Sequence, residues 1–428
     1  MKDIYNVEYE VISPTHIGTG ESIPKTELAY FVGDNFIRRV NFDRFFSSIP
    51  SHKIGRISEF IRAAQNDYLN NILEREHLAL EDIAGEYDLE FYSNYNPNDV
   101  QKIREIAPFI KTPLLKPYIP GTTIKGWLRT AILFYWLARI SEAKGYLDDV
   151  DKKLDNLPRG GRRFYKEKLK MGKILESKLF GKDPQTDIFK YILCSDTDPI
   201  DNRCLKLAFI QIFHPNQHRG EWIYEPLGFS QNFEVLTEET KFKGNLRFHT
   251  NLDKYKSEYL TTQQLHHKLR GYIIDHFFEL SKEERFEKLC EMSNYFSKRI
   301  FQYNREYLLR LAEVTESSYI ENIADFYNKT LFPTYDSIVE SKNQFLMRIG
   351  AGTEWHSKTI GLQVMNYFME NLGYDFNRFY DRINRLKLFK GGRKHKHFDL
   401  TPISRAYIVN RMNNPVCPLG WIKVKLIQ

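Results

Sequence analysis

Cysteine is scarce. The 428 residues hold four (Cys194, Cys204, Cys290 and Cys417), and none forms a Cys-x-x-Cys pair. That excludes a disulfide framework and a cysteine-based zinc module. Long apolar runs are missing as well. The longest, Ala131 to Ala138, lies between Arg129 and Arg139 and falls short of the ~20 apolar residues that a membrane span requires. The opening Met1-Lys2-Asp3-Ile4 has no apolar leader segment, so the expected location is the cytoplasm, with no membrane as partner. No short repeat period of the solenoid kind appears. A Gly-x-Ser-x-Gly elbow is missing, and no cysteine sits in a nucleophile motif. His266-His267 and His395-x-His397 lack partners at zinc spacing, while Asp196, Asp198 and Asp201 read as turn residues. Neither a metal nor a cofactor is expected.

What is present is an ordinary globular composition, 42% hydrophobic and 27% charged, in a length that suits two or three domains. Aromatic residues reach 14%, so some rings must lie near the surface. The net charge of +7 is unevenly spread. Residues 152–182 carry +8 and residues 385–397 carry +6, which leaves the rest of the chain at −7. Two concentrated basic segments on a mildly acidic body suit a protein that grips one polyanion locally. Both segments mix cations with aromatic or glycine residues. Arg159-Gly160-Gly161-Arg162-Arg163-Phe164-Tyr165-Lys166 is the richer of the two and suits single-stranded nucleic acid, with cations on phosphates and rings on bases. A basic solvated loop is the plainer reading of the same residues.

Periodicity predicts mixed α and β structure. Tyr5, Val7, Tyr9 and Val11 alternate as a half-buried strand does. Leu28–Val32 and Phe36–Val40 flank the turn Gly33-Asp34-Asn35, and Asn41 can cap a helix carrying Phe42, Phe45 and Phe46. Residues 55–85 look helical, and Thr122–Ile140 reads as a largely buried helix. Phe189–Ser195 and Leu205–Phe213 read as strands, followed by a boundary near Pro215–Gly220. Beyond it, strand-like stretches precede a long helical region, about Thr261 to Asn328. The strand Gln344–Ile349, the loop Gly350-Ala351-Gly352, the helix Thr359–Leu372 and the strand Gly420–Ile427 complete the chain. Each half gives a strand, a glycine-bearing loop and a helix, which predicts two related α+β domains, 1–218 and 219–428.

Three loops carry the functional signal. In Pro120-Gly121-Thr122-Thr123-Ile124-Lys125-Gly126-Trp127-Leu128-Arg129, Thr122 or Thr123 can cap a helix whose first turns hold Lys125 and Arg129 on one face. Cations are disfavoured at a helix N-terminus by a few tenths to ~1 kcal/mol. They make sense there if an anion joins them and the free N–H groups. Gly121 and Gly126 then let a phosphate backbone approach. The second loop, Arg348-Ile349-Gly350-Ala351-Gly352-Thr353-Glu354-Trp355-His356-Ser357-Lys358-Thr359, leads from a strand to a helix. It can aim backbone N–H groups and Lys358 at a phosphate. It is neither a Walker A loop nor a dinucleotide fingerprint, and a plain tight turn reads it as well. The third, His16-Ile17-Gly18-Thr19-Gly20, has the same style. His16 could act as a general base, since its ordinary pKa of ~6.5 suits that role. A histidine that hydrogen-bonds backbone or RNA needs fewer partners.

Taken together and in order, these loops resemble the RAMP proteins of CRISPR systems. Ile119-Pro120-Gly121-Thr122-Thr123-Ile124-Lys125-Gly126-Trp127-Leu128-Arg129 is similar to that family's Ile-Pro-Gly-Ser-Ser-Leu-Lys-Gly-x-Leu-Arg stretch. Residues 13–20 resemble its first loop, and residues 348–352 with 357–360 its C-terminal glycine-rich loop. The spacing and the late Pro418-Leu419-Gly420-Trp421 most resemble RAMP subunits of type III-A (Csm) effector complexes. The resemblance implies two ferredoxin-like (RRM-type) domains with helical insertions, and a non-catalytic RNA-binding subunit that caps the crRNA 3′ end. It implies crRNA and target RNA as partners, with other Csm subunits, chiefly the repeated backbone subunit, and recruited cellular nucleases. Carried onto this chain, it implies RNA contacts from His16, Gly18, Gly20, Gly121, Thr122, Thr123, Lys125, Arg129, Arg162, Arg163, Gly350, Gly352 and Lys358. Glu354 departs from the family pattern, where glycine is common. Two other readings stand beside it: a metal-independent endoribonuclease with His16 as base, and a purely structural cap.

Overall fold

The computed structural model describes residues 2–63, 67–75, 85–140, 145, 147–148, 152, 176–177, 179–260, 270–315, 317–373, 375, 378 and 404–427. Arg162 and Arg163, with most of the first basic segment and all of 385–397, lie outside these residues.

The alternation at the N-terminus forms the strand Lys2–Val11, with Tyr5, Val7, Tyr9 and Val11 all buried. It is the centre of a five-stranded antiparallel sheet. The order runs Gln344–Arg348, Trp421–Ile427, Lys2–Val11, Lys241–His249, Ile192–Cys194. Its registers include Val7 opposite Gly244 on one side and Val7 opposite Leu426 on the other. The first and last of three chain-ordered elements, Lys2–Val11, the helix Gly121–Arg139 and Ile192–Cys194, are parallel strands with Lys241–His249 between them. Likewise Lys241–His249 and Trp421–Ile427 are parallel strands with Lys2–Val11 between them, and the helix Lys282–Val314 falls between the two in chain order.

The two helices pack on each other and on this sheet. Phe134 meets Phe296 at 4.8 Å between ring centroids, and Trp127 stacks over Phe345 at 6.2 Å. The Gly121–Arg139 helix buries Ile124, Leu128 and every residue from Ala131 to Leu137, as its all-round apolar pattern predicts. A capping box at Ser281 and Glu284 starts the long helix. Asn294 then finishes the open sheet edge. Its Oδ1 accepts the Leu346 amide at 3.2 Å, and its Nδ2 donates to the Gln344 carbonyl at 3.0 Å. The edge is thus covered rather than left as a template for another strand.

A seven-stranded sheet combines Leu28–Ala29, Phe36–Val40, Gly85–Phe91, Leu205–His218, Glu221–Leu236, Arg405–Val409 and Pro415–Cys417. A two-stranded pair, Ile23–Pro24 with Glu105–Ile106, accompanies it. Residues 188–191 are a 3₁₀ turn rather than strand, because Asp187 caps them through the Phe189 amide at 2.8 Å. Residues 218 and 219 fall at the tip of the hairpin joining Leu205–His218 to Glu221–Leu236, where Arg219 and Gly220 both have positive φ. Both large sheets draw strands from each side of that tip. The architecture is therefore α+β.

Candidate nucleic-acid interface

The three glycine-bearing segments, spread over more than 300 residues of sequence, line one open cleft of about 470 Å³. The first contributes His16, Ile17 and Gly18; the third contributes Gly350, Ala351, Ser357 and Lys358. Between them, the Gly121–Arg139 helix presents Thr123, Gly126, Trp127 and Thr130. Those four positions follow i, i+3, i+4, i+7 and so form one stripe of an α-helix.

Backbone contacts hold the loops together. The Ala351 amide donates to the His16 carbonyl at 2.9 Å, and the Gly420 amide donates to Pro14 at 3.0 Å. Gly350 has φ +91°, and a Cβ there would lie 2.2 Å from the His16 oxygen. Only glycine permits both that conformation and that approach.

The His16 side chain is buried against Phe233, at 4.5 Å between centroids, and meets the edge of Phe109. Its Nδ1 lies 2.7 Å from the Glu234 carbonyl oxygen. A carbonyl only accepts, so Nδ1 carries the hydrogen, and Nε2 of the neutral ring is an acceptor. Burial holds the imidazole below its ordinary pKa; Lys111 acts in the same direction, and Glu234 acts against both. Glu234 is itself fixed. Its carboxylate accepts the Tyr87 hydroxyl at 2.6 Å and the Phe109 amide at 2.8 Å, and pairs with Lys111.

On the third loop, the fully buried Arg348 donates to the Leu419 carbonyl at 3.0 Å and pairs with Glu354 at 2.7 Å. Glu354 also faces Arg405 at 3.7 Å and adopts φ +40°. Arg405 stacks on Tyr307 at 4.2 Å. His356 is enclosed by the same group, and burial, then Arg405 and Arg348, push its pKa well below the ordinary value. Glu354 is thus turned inward, as the counter-ion of two buried guanidinium groups. Lys358 remains exposed on the cleft. Desolvation lowers its pKa, with Glu354 opposing and Arg348 assisting.

Other expected RNA-contact residues sit elsewhere. Lys125 and Arg129 do share a helix face, but at ~100° per residue it lies roughly opposite the cleft stripe. Arg129 pairs with Asp187 at 2.7 Å and Glu176 at 3.1 Å and covers the rings of Phe180 and Phe189. Lys125 has its pKa lowered by burial, with Cys194 and Asp187 nearby. Gly121 is buried, its amide donates to Asp196 at 2.8 Å, and a Cβ would lie 2.1 Å from the Cys194 carbonyl. Asp196, expected as a turn residue, therefore does the work assigned to Thr122 or Thr123: the helix N-cap is Pro120, without a side-chain cap. Thr122 is exposed beside the cleft stripe. Gly352, φ +69°, packs on Leu419, and its carbonyl accepts Arg348 at 3.3 Å. Gly20, φ +87°, lines a separate groove of about 800 Å³ with Lys102, Arg104 and Gln231.

Trp127, Thr130 and Ser357 belong to the cleft and carry no local signal of their own, although Thr130 could be found seven residues after Thr123. Lys111 and Glu234 are 123 residues apart, and nothing local links them.

The RAMP superfamily model matches residues 8–355, and the chain belongs to that superfamily. Within it, the chain is similar to the CRISPR system Cms protein Csm5 of Methanocaldococcus jannaschii, 26% identical over 443 residues, covering 99% of this chain and 89% of the relative. The Streptococcus thermophilus Csm5 is 25% identical over 206 residues, 46% of this chain and 52% of that protein. Two solved structures share the fold. One is a chain of a cryo-EM Csm–crRNA–target RNA ternary complex of a type III-A CRISPR-Cas system, with TM-score 0.67 and 19% identity, covering 99% of this chain and 100% of that one. The other is the crystal structure of T. onnurineus Csm5, with TM-score 0.58 and 18% identity, covering 97% and 99%.

Proposed function

We propose that this chain is the Csm5-like subunit of a type III-A CRISPR effector complex, and that its cleft holds the 3′ portion of the crRNA. The observation that carries the reading is convergence. His16 and Gly18, Thr123 and Gly126, and Gly350 and Lys358 come from two loops and from the helix that lies between them in sequence, and line a single open cleft. Small residues let a sugar–phosphate chain approach closely, and Lys358 supplies a phosphate contact. The basic segment with Arg162 and Arg163 belongs to the same proposal as a second grip. So do the partners: target RNA, the repeated backbone subunit and recruited nucleases, with the cytoplasm as location. Two ferredoxin-like units with helical insertions remain the proposed reading of the fold.

Photo-crosslinking within the native assembly tests the function. Guide RNA of defined length, joined to this chain through its 3′ portion, is the expected result. Bulk RNA rejects the proposal, and no RNA adduct returns the chain to a purely structural cap.

One observation favours a second reading. The Nδ1–H of His16 is committed to Glu234, so Nε2 has the lone pair a general base needs. That reading expects cleavage of repeat RNA by the purified chain in EDTA, lost in His16→Ala. Uncleaved RNA rejects it.

A further inference from the structure

The cleft is lined mostly by groups that accept or are neutral. Arg348 lines it, but its charge is matched by Glu354 at 2.7 Å. The Thr130 hydroxyl already donates to the Gly126 carbonyl at 3.2 Å, leaving its lone pairs outward. Beside Lys358, which suits a phosphate, the lining suits the uncharged sugar groups of a sugar–phosphate chain.

His16 adds a specific demand. Its ring cannot turn, being stacked on Phe233 and pinned by the 2.7 Å bond from Nδ1 to the Glu234 carbonyl. Nε2 is left as an acceptor, with no hydrogen bond to it among the described residues. Gly18 stands beside it, and a Cβ at that position would lie 2.7 Å from Nε2. Glycine there keeps this nitrogen open beside the cleft that both residues line.

An acceptor in such a place needs a donor. The phosphodiester has none, since its oxygens are acceptors and its charge is repelled by a lone pair. The ribose 2′-hydroxyl is the backbone group that can donate, and DNA lacks it. We propose that His16 Nε2 accepts a hydrogen bond from a ribose 2′-hydroxyl of the bound strand, and that this contact selects RNA over DNA. The inference rests on the cleft being the RNA site.

The test is equilibrium binding of the full chain to one sequence made as RNA, as DNA and as 2′-fluoro RNA. The 2′-fluoro strand keeps the RNA sugar pucker but cannot donate. A neutral hydrogen bond corresponds to about a two- to tenfold preference for RNA over the 2′-fluoro strand. In His16→Phe, which retains the stack on Phe233, that preference falls to one. Replacing single nucleotides by 2′-fluoro, with the natural protein, locates the contact without any variant: one position carries the loss. Equal binding of RNA and 2′-fluoro RNA by the natural chain overturns the inference and leaves the RNA site standing. RNA binding that Lys358→Ala leaves unchanged, or no RNA binding at all, overturns the cleft reading itself and this inference with it.

Discussion

The carbonyl oxygen of His16 accepts the Ala351 amide at 2.9 Å, with Gly350 pressed against the same oxygen. Two loops more than 330 residues apart are thereby one structure. Gly350→Ala puts a methyl group 2.2 Å from that oxygen and forces a side chain onto φ +91°. Strain of this kind costs about 1–3 kcal/mol, and the clash adds to it. The expected result is a lower urea midpoint together with lost RNA binding.

Gly126 is the contrasting case. It is exposed in a helix, and a Cβ there meets nothing within 4 Å. Gly126→Ala is therefore expected to stabilise the fold by about 0.5–1 kcal/mol while weakening RNA binding, since the new methyl group projects into the cleft. A more stable variant with undiminished affinity removes this helix face from the interface.

Lys358 and Arg129 are expected to separate binding from stability. Lys358→Ala should lower the slope of log affinity against log salt by ~0.7, the value for one phosphate contact on a single strand. Arg129→Ala strips a partner from Asp187 and Glu176 and cover from two rings. It should leave that slope alone and cost about 1–2 kcal/mol in denaturant unfolding. The reverse pattern would move the RNA to the other side of the helix.

Glu354 neutralises a site that otherwise holds two buried guanidinium groups. Glu354→Gln leaves Arg348 and Arg405 uncompensated, and breaking such a buried group costs about 3–5 kcal/mol. Glu354→Gly relieves the positive φ but not the charge, so it too should unfold at lower denaturant. A glycine variant as stable as the natural chain would show that the acid is dispensable here.

Acid should destabilise the fold before its carboxylates titrate. His16, facing Glu234 and Lys111, and His356, facing Glu354, Arg348 and Arg405, both have folded pKa values below the ordinary one. In the window beneath ~6.5 the unfolded chain binds more protons than the folded chain, so unfolding free energy rises with pH there. The stability present above pH ~6.5 is lost as pH falls through that window. Urea midpoints at pH 7.5, 6.5 and 5.5 check this, with the fall expected between the last two; a level series contradicts it.

Much of the scaffold was readable because local patterns decide it. Alternation gives Tyr5, Val7, Tyr9 and Val11 to one buried face, and Asn41 caps its helix through the Arg44 amide at 3.0 Å. The site was harder. The i, i+4 spacing of Lys125 and Arg129 places them on one face but cannot say what that face meets. Gly121 does mark a close backbone approach, yet the neighbour is the Cys194 carbonyl rather than a phosphate. Glu354 was visible as a departure, while its role depends on Arg405, 51 residues away and reached only through tertiary folding. Long-range pairs of this kind leave no mark on local spacing.

The strand Lys2–Val11 has one neighbour at Lys241–His249 and the other at Trp421–Ile427. During synthesis it therefore waits, with both edges unpaired and four large apolar side chains uncovered, while more than two hundred residues are made. Pairings of such sequence separation form slowly, and exposed strand edges of this type invite aggregation. A holding chaperone that covers Lys2–Val11 until Trp421–Ile427 is made should therefore raise the soluble yield of this protein.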